Sequence, residues 1–332
     1  MKNEGFSSIE YLITLIVLVS IIAVFGIFLR TASITVKKTS TLVEDRKTID
    51  DLLSKVYEDL KKDISPEADS KFDEVWKWNG YEHDGFSITI SSLSGLINLN
   101  FIPEKIIYET GLKNYFENSE GITFIEKNRQ HGMLLYSYDD IKNYIAEDIF
   151  NKYFTFKGFA NINISDINTI KIISDNIIGS SYGNELYNKI NILRDNRQFI
   201  RNLTELKLFL GVNYDGIMPF INLNPQININ FIEEEALKAL LSFSDFNVDR
   251  INQKVTAIVS LRQTGEIKES ELCNILGISK DDELYYYLGC KTWLWQIDVK
   301  GKNTSCSVII ARASEEDSFG KTSFYIIEKK WL

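Results

Sequence analysis

Hydrophobic and polar positions follow three different periods along this chain. Residues 9–29 are uncharged apart from Glu10. At ~1.5 Å rise per residue, a helix of that length nearly spans a hydrocarbon core of ~30 Å. The pattern then turns amphipathic. Leu42, Ile49, Leu53, Val56 and Leu60 recur at helical spacing, which predicts that the apolar helix runs on past the membrane until Ser65-Pro66 ends it. Beyond that point the period falls to two. Residues 84–90 alternate as a half-buried strand does, and Ile97-Asn98-Leu99-Asn100 suggests a second strand. The same period returns near the other end. Trp293, Trp295, Ile297 and Val299 alternate, Lys300-Gly301-Lys302-Asn303 reads as a turn, and residues 306–312 and 322–327 read as strands. The chain is therefore expected to be α+β, with one antiparallel sheet assembled from both sides of a helical insertion.

The middle of the chain repeats itself. Ile162-Asn163-Ile164 opens one copy and Ile229-Asn230-Phe231 the other. Ile170, Lys171 and Ile173 answer to Leu237, Lys238 and Leu240, and Leu193-Arg194 to Leu261-Arg262. The copies close alike, on Glu205-Leu206 then Leu210-Gly211-Val212, and on Glu271-Leu272 then Leu276-Gly277-Ile278. A Gly after the last helical Leu is a helix stop. Asn163 and Asn230 are expected near helix N-caps, with Asp166 and Glu233 in the first turns. Each copy reads as a small module of the helix-hairpin-helix or sterile-alpha-motif kind. A DNA-binding hairpin offers Gly-rich backbone amides to phosphate; these hairpins lack a Gly-x-Gly pair, and the second copy carries Glu233, Glu234, Glu235 and Asp245. Both copies are read as scaffolding.

Composition narrows this further. With 44% hydrophobic and 25% charged residues, the bulk should be ordered and globular, and 332 residues allow two domains. A net charge of −9 argues against nucleic acid as a partner. Cys273, Cys290 and Cys306 include no C-x-x-C pair, which argues against structural zinc; Cys290 and Cys306 are either a cross-strand disulfide or buried free thiols. His83 and His131 stand far apart. No nucleophile elbow, P-loop or dinucleotide fingerprint is found, so no catalytic residue is assigned and the chain is not expected to be an enzyme. Asp73-Glu74, Asp139-Asp140 and Glu315-Glu316-Asp317 are read as solvated faces.

The N-terminus carries the most specific signal. Gly5-Phe6-Ser7-Ser8-Ile9-Glu10 stands before the apolar run, whereas a secretion signal has its cleavage site after it. Cutting between Gly5 and Phe6 would leave the apolar helix on the mature protein, with a new amine one turn from Glu10. An amine and a carboxylate meeting between neighbouring subunits would cancel each other's desolvation cost and set the axial register of a fibre. Lys2 and Glu4 offset each other, while Arg30, Lys37 and Lys38 lie on the long side, which the positive-inside rule would place in the cytoplasm. The processing signal is taken over that bias.

This motif resembles the class III signal of type IV prepilins and pseudopilins. The resemblance implies a prepilin peptidase that cuts after Gly5 and methylates Phe6, with Glu10 in assembly. The layout as a whole resembles the minor pseudopilin subunit K family of the type II (general) secretion pathway. Ile97-Asn98-Leu99-Asn100 matches the Asn-x-Asn motif at which that family's insertion begins, and Asn161-Ile162-Asn163 and Asn228-Ile229-Asn230 match the module starts. The implied division is a leader over 1–5, a transmembrane and pilin helix over 6–64, and the first part of a pilin αβ domain over 65–104. An inserted helical domain over 105–283 follows, with modules over about 160–212 and 227–278, then C-terminal strands over 284–332. The implied role is non-catalytic, at or near the tip of the periplasmic pseudopilus. The implied partners are minor pseudopilins of the I and J type, the major G type, the prepilin peptidase and the assembly platform. The implied location is the inner membrane, single-pass, N-terminus cytoplasmic and bulk periplasmic. No cofactor is required; calcium enters only through K subunits that resemble calcium proteins, and no ligands are named. One departure stands out: K subunits typically lack the carboxylate that this chain keeps at Glu10. A minor pilin of a type IV pilus or DNA-uptake machine, or a membrane-anchored adhesin, would carry the same signal; the double module favours the secretion reading.

Overall fold

The computed structural model describes residues 4–62, 67–244, 246–316 and 322–332, with side chains from Leu12 onward except at Ile22 and Glu316. A single helix, α1 (Glu4–Leu60), carries both the apolar run and the amphipathic stripe. Lys61 and Lys62 close it with a turn; Ser65-Pro66, the expected stop, lies outside the described residues. The stripe is apolar where the helix meets the sheet: Ile49, Leu52, Val56 and Leu60 are buried there. Burying each such side chain contributes about 1.5–3 kcal/mol before the entropy of ordering it.

The sheet has five antiparallel strands in the order β1-β2-β9-β10-β11. Strands β1 (Tyr81–His83) and β2 (Phe86–Ser92) come before the insertion, and β9 (Leu294–Lys300), β10 (Ser305–Glu316) and β11 (Thr322–Trp331) after it. Strand β2 pairs with β9, Ile88 opposite Val299 and Ile90 opposite Ile297. Two strands some two hundred residues apart in sequence are thus nearest neighbours, so the chain between them is an insertion in one sheet. Phe86, Ile88 and Ile90 alternate with more exposed residues and meet Trp295, Ile297 and Val299 in one core under α1.

Three modules fill the insertion, where the sequence showed two. Each opens and closes on a two-residue strand, and the two strands pair in parallel: β3 (Ile97–Asn98) with β4 (Phe154–Thr155), β5 (Ala160–Asn161) with β6 (Ile221–Asn222), and β7 (Ile227–Asn228) with β8 (Leu288–Gly289). The first encloses α2 (Glu104–Glu109), α3 (Glu120–Gln130) and α4 (Glu147–Tyr153). The second encloses α5 (Ile167–Ile177), α6 (Ser180–Asp195), α7 (Leu203–Leu210) and α8 (Tyr214–Ile217). The third encloses α9 (Glu234–Leu241), α10 (Val248–Thr264), α11 (Glu269–Leu276) and α12 (Glu283–Tyr287). The first and third share a core, while the second has one of its own. Ile97–Asn98 is therefore not a strand of the main sheet, and the insertion is wider than residues 105–283. Each repeat also runs past its Leu-Gly stop to a closing strand.

The expected capping role of Asn163 and Asn230 is corrected by this geometry. Asp166 is the N-cap of α5, its side chain accepting from the Thr169 N–H at 2.9 Å, and Glu233 occupies that position before α9. The Asn-x-Asn pairs do something else. The first Asn turns the chain by accepting from the N–H two residues on: Asn98 from Asn100, Asn161 from Asn163 and Asn228 from Asn230, each at 2.9 Å. The second Asn uses both ends of its amide on one distant peptide. Asn100 donates to the Leu135 carbonyl and accepts from its N–H; Asn163 does the same with Ile200, and Asn230 with Ile267. An amide side chain has the donor and acceptor of a backbone unit, so each Asn closes a miniature strand pair. One Arg per module then braces the turn. Arg129 donates to the carbonyls of Leu99 and Ile102, Arg194 to Ile162 and Ser165, and Arg262 to Ile229 and Ile232.

Candidate functional site

The distal part of α1 is the first candidate surface. The described side chains of residues 12–31 are all exposed, Phe25 at 60% and Phe28 at 65% among them. The helix is long and apolar enough to cross a membrane, by length and composition. Its hydroxyls do not contradict this. Ser20 and Thr31 donate to the Ile16 and Ile27 carbonyls at 2.8 and 2.9 Å, so neither presents an unpaired donor to lipid. Arg30 ends the uncharged stretch, and about fourteen mostly exposed residues separate it from the sheet.

Where α1 reaches the sheet, polar contacts add to the apolar stripe. Asp45 accepts from both the backbone and the side-chain amide of Asn303, each at 2.8 Å, in the turn between β9 and β10. Asp50 pairs with Lys329 at 2.7 Å, and the Tyr57 hydroxyl donates to the Phe324 carbonyl at 2.6 Å. Asp59 meets Lys62, the Trp78 indole N–H and Lys77 at 2.8, 2.8 and 3.0 Å. Lys62 first, then Trp78 and Lys77, hold its carboxyl well below the ordinary carboxylate range.

A second polar cluster joins the sheet to the insertion. Asp69 and Arg312 form a buried ion pair, with Arg312 also stacked on Trp295 and Phe324 at 5.3 Å from each ring. Asp69 accepts from the Thr292 N–H at 2.6 Å; Thr292 in turn contacts Ser92 and Asn228, both at 3.0 Å. Asn228 belongs to the third module's Asn-x-Asn pair, so this cluster ties β2, β10 and that module together. Gly95 permits the close approach: a Cβ there would lie 2.9 Å from the Phe231 Cβ and 3.0 Å from its carbonyl oxygen.

Of the residues singled out from sequence, Gly5, Phe6 and Glu10 lie on the first turns of α1, and their side chains fall outside the described residues. Members of the acidic clusters make bonds within the fold, those of Asp73 and Asp140 local and that of Glu315 reaching from β10 to the second module. Asp140 accepts from the N–H groups of Tyr136 and Ser137, which hold its carboxyl down; Asp73 accepts from the Ser70 N–H, and Glu315 from the Tyr214 hydroxyl. Asp245 and Asp317 are outside the described residues. His83 meets Asp84 and the Tyr81 ring on the surface, and His131 bonds the Lys127 carbonyl. Among the described residues no group of three or more His, Cys, Asp or Glu could hold a metal ion. The cysteines are free thiols, and Cys290 and Cys306 sit in different cores. What sequence reasoning missed were the clamping asparagines and their arginines; the recurring Asn-x-Asn was the available signal.

No protein-family model matches the chain, and no curated protein matches it. Among solved structures it is similar to one chain of the GspK-GspI-GspJ complex from the enterotoxigenic Escherichia coli Type 2 Secretion System. That match has 10% sequence identity and a TM-score of 0.43, and covers 89% of this chain and 98% of the other. At this level the likeness carries no argument, and the reading below rests on the chain's own residues.

Proposed function

We propose that this chain is a non-catalytic minor pseudopilin of a type II secretion system, of the subunit K kind. It would act at or near the pseudopilus tip, help initiate assembly and support export across the outer membrane. The observation that carries the reading is the single helix α1. It runs without a break from a prepilin-type signal, through an exposed apolar span, into the core of a sheet whose neighbours β2 and β9 bracket a large insertion. In such a subunit the helix anchors the chain in the inner membrane and later packs among the helices of other pseudopilins of the I, J and G types. The Asn303–Asp45 and Lys329–Asp50 contacts would transmit axial movement of the helix to the body without slack. Glu10 would offer a carboxylate to the amine of a neighbour above, a role that suits a place below the topmost position.

Mass spectrometry of the membrane-purified protein tests this. The expected species begins at methylated Phe6, and Gly5→Leu leaves the leader attached. An intact Met1 in the wild-type chain, or a cut after Leu29, would refute the reading. Copurification with the I- and J-type pseudopilins of the same cell, and not with competence pilins, is the second expected result.

A further inference from the structure

The three modules meet around a cleft of about 470 Å³ that the pseudopilin reading does not use. One wall is the C-terminal end of α6, with Arg194 and Arg197; the other is the segment entering α12, with Asp281, Asp282 and Glu283; the half-buried Phe199 and Phe243 supply apolar surface. Asp281 pairs with Arg201 at 2.7 Å, outside the cleft, so the lining keeps three cations, Lys105, Arg194 and Arg197, against two carboxylates, Asp282 and Glu283. Asp282 also caps α12 by accepting from the Leu284 N–H at 2.9 Å, and Glu283 has no bonded partner among the described residues but acts on Arg194 through space. Arg194 spends one terminal nitrogen on the Ile162 and Ser165 carbonyls and, among the described residues, has no carboxylate within ion-pair distance; its buried Nε, like that of Arg129, has no hydrogen-bond partner there. Its counterpart Arg129 does have a carboxylate, Asp166 at 3.5 Å. Burial pushes the Arg194 guanidinium down from its ordinary pKa, a cost that a bound anion would offset. Arg197 adds a second guanidinium. It occupies the left-handed position after α6, at φ 51, where glycine is usual and would bring no side chain to the cleft. Lys105 lines the same space and, among the described residues, meets the Phe243 ring at 5.1 Å and no carboxylate.

From this excess of one cation, with Arg194 and Arg197 both without an ion-pair partner among the described residues, beside aromatic surface, we infer that the intermodule cleft binds an organic carboxylate carrying an apolar group, such as the C-terminal residue of a peptide. Arg is suited to this because its planar fork matches a carboxylate in two parallel hydrogen bonds. The volume fits one or two residues of ligand, in the range of small-molecule sites.

The test uses the full chain in detergent micelles and saturation-transfer NMR with two probes, N-acetylphenylalanine and a tetrapeptide ending in Phe, each beside its C-terminal amide. At least one free acid should bind tenfold or more tighter than its amide, and Arg194→Gln should remove the difference. Because Arg194 also braces a turn, Arg197→Gln is the second variant; its side chain supports no described bond, and it should reduce the preference at least threefold in a chain with unchanged thermal unfolding. Binding of both acids, or of the peptide alone, supports the inference and distinguishes a free acid from a chain terminus. Equal binding of acid and amide, absence of binding, or a preference that survives Arg197→Gln overturns it. None of these results depends on processing at Gly5, so the pseudopilin reading stands or falls separately.

Discussion

Replacing Asn163 by alanine isolates the device that builds the modules. Asn163 is 7% exposed, and both ends of its amide engage Ile200: the Ile200 N–H at 2.9 Å and its carbonyl at 2.8 Å. Alanine removes both bonds at once and leaves the donor and acceptor of a peptide beside a side chain only 6% exposed. An unsatisfied buried group costs about 1–3 kcal/mol, and the loop position of Ile200 lets water recover part of it, so local opening should become easier by about 2–4 kcal/mol. At 1.4 kcal/mol per factor of ten, amide exchange at Ile200 should accelerate by roughly 30- to 700-fold. Hydrogen exchange read by mass spectrometry on the full chain in micelles gives the measurement. The second module has its own core, so β2 and β9 should keep their protection. The equivalent changes should rank by burial, Asn100→Ala (4% exposed) at least as costly as Asn163→Ala and the half-buried Asn230→Ala the mildest. Less than threefold acceleration at Ile200, or an equal loss across the main sheet, would refute the clamp.

Three further outcomes follow from buried and paired groups. Arg312→Met leaves Asp69 charged and buried and should destabilise the chain by about 3–5 kcal/mol, whereas the double change with Asp69→Leu should recover part of that; thermal unfolding showing the double no better than the single would contradict it. Asp59 has its carboxyl held low in the folded chain, so the stability it contributes is present above about pH 4, the unfolded carboxylate value, and declines as the pH falls. Asp59→Asn should flatten the pH dependence of unfolding between pH 5 and 3, and an unchanged slope would remove Asp59 from the account. Burial raises all three thiols, Cys290 well above its ordinary range, but Cys290 and Cys306 are buried while Cys273 is only half-buried and open to reagent. Iodoacetamide should therefore label Cys273 alone in the native chain and all three thiols after denaturation; native adducts at Cys290 or Cys306 would count against the cores as described.

Local pattern was enough for α1, for β2 and for the three C-terminal strands, because each rests on a period that neighbouring residues display by themselves; it missed β1 and put Ile97–Asn98 in the wrong sheet. Ile49, Val56 and Leu60 mark a helix face whatever it packs on, and Trp295, Ile297 and Val299 mark a strand face whatever pairs with it. The two later modules were legible for the same reason, through Leu-Gly stops and matched leucines. The first module was not. It lacks the Leu-Gly stop, and its clamp spans thirty-five residues where the others span thirty-seven, so no fixed offset aligns it. Its membership rests on what Asn100 and Arg129 bond, which is a fact of three dimensions. The same holds for the closing strands. Two residues have no period, and Phe154–Thr155 becomes a strand only because Ile97–Asn98 lies beside it. The intermodule cleft is the extreme case: Arg194 and Glu283 are ordinary charged residues in the chain, and become an unbalanced site only when packing brings three modules together and assigns partners to some charges and not to others.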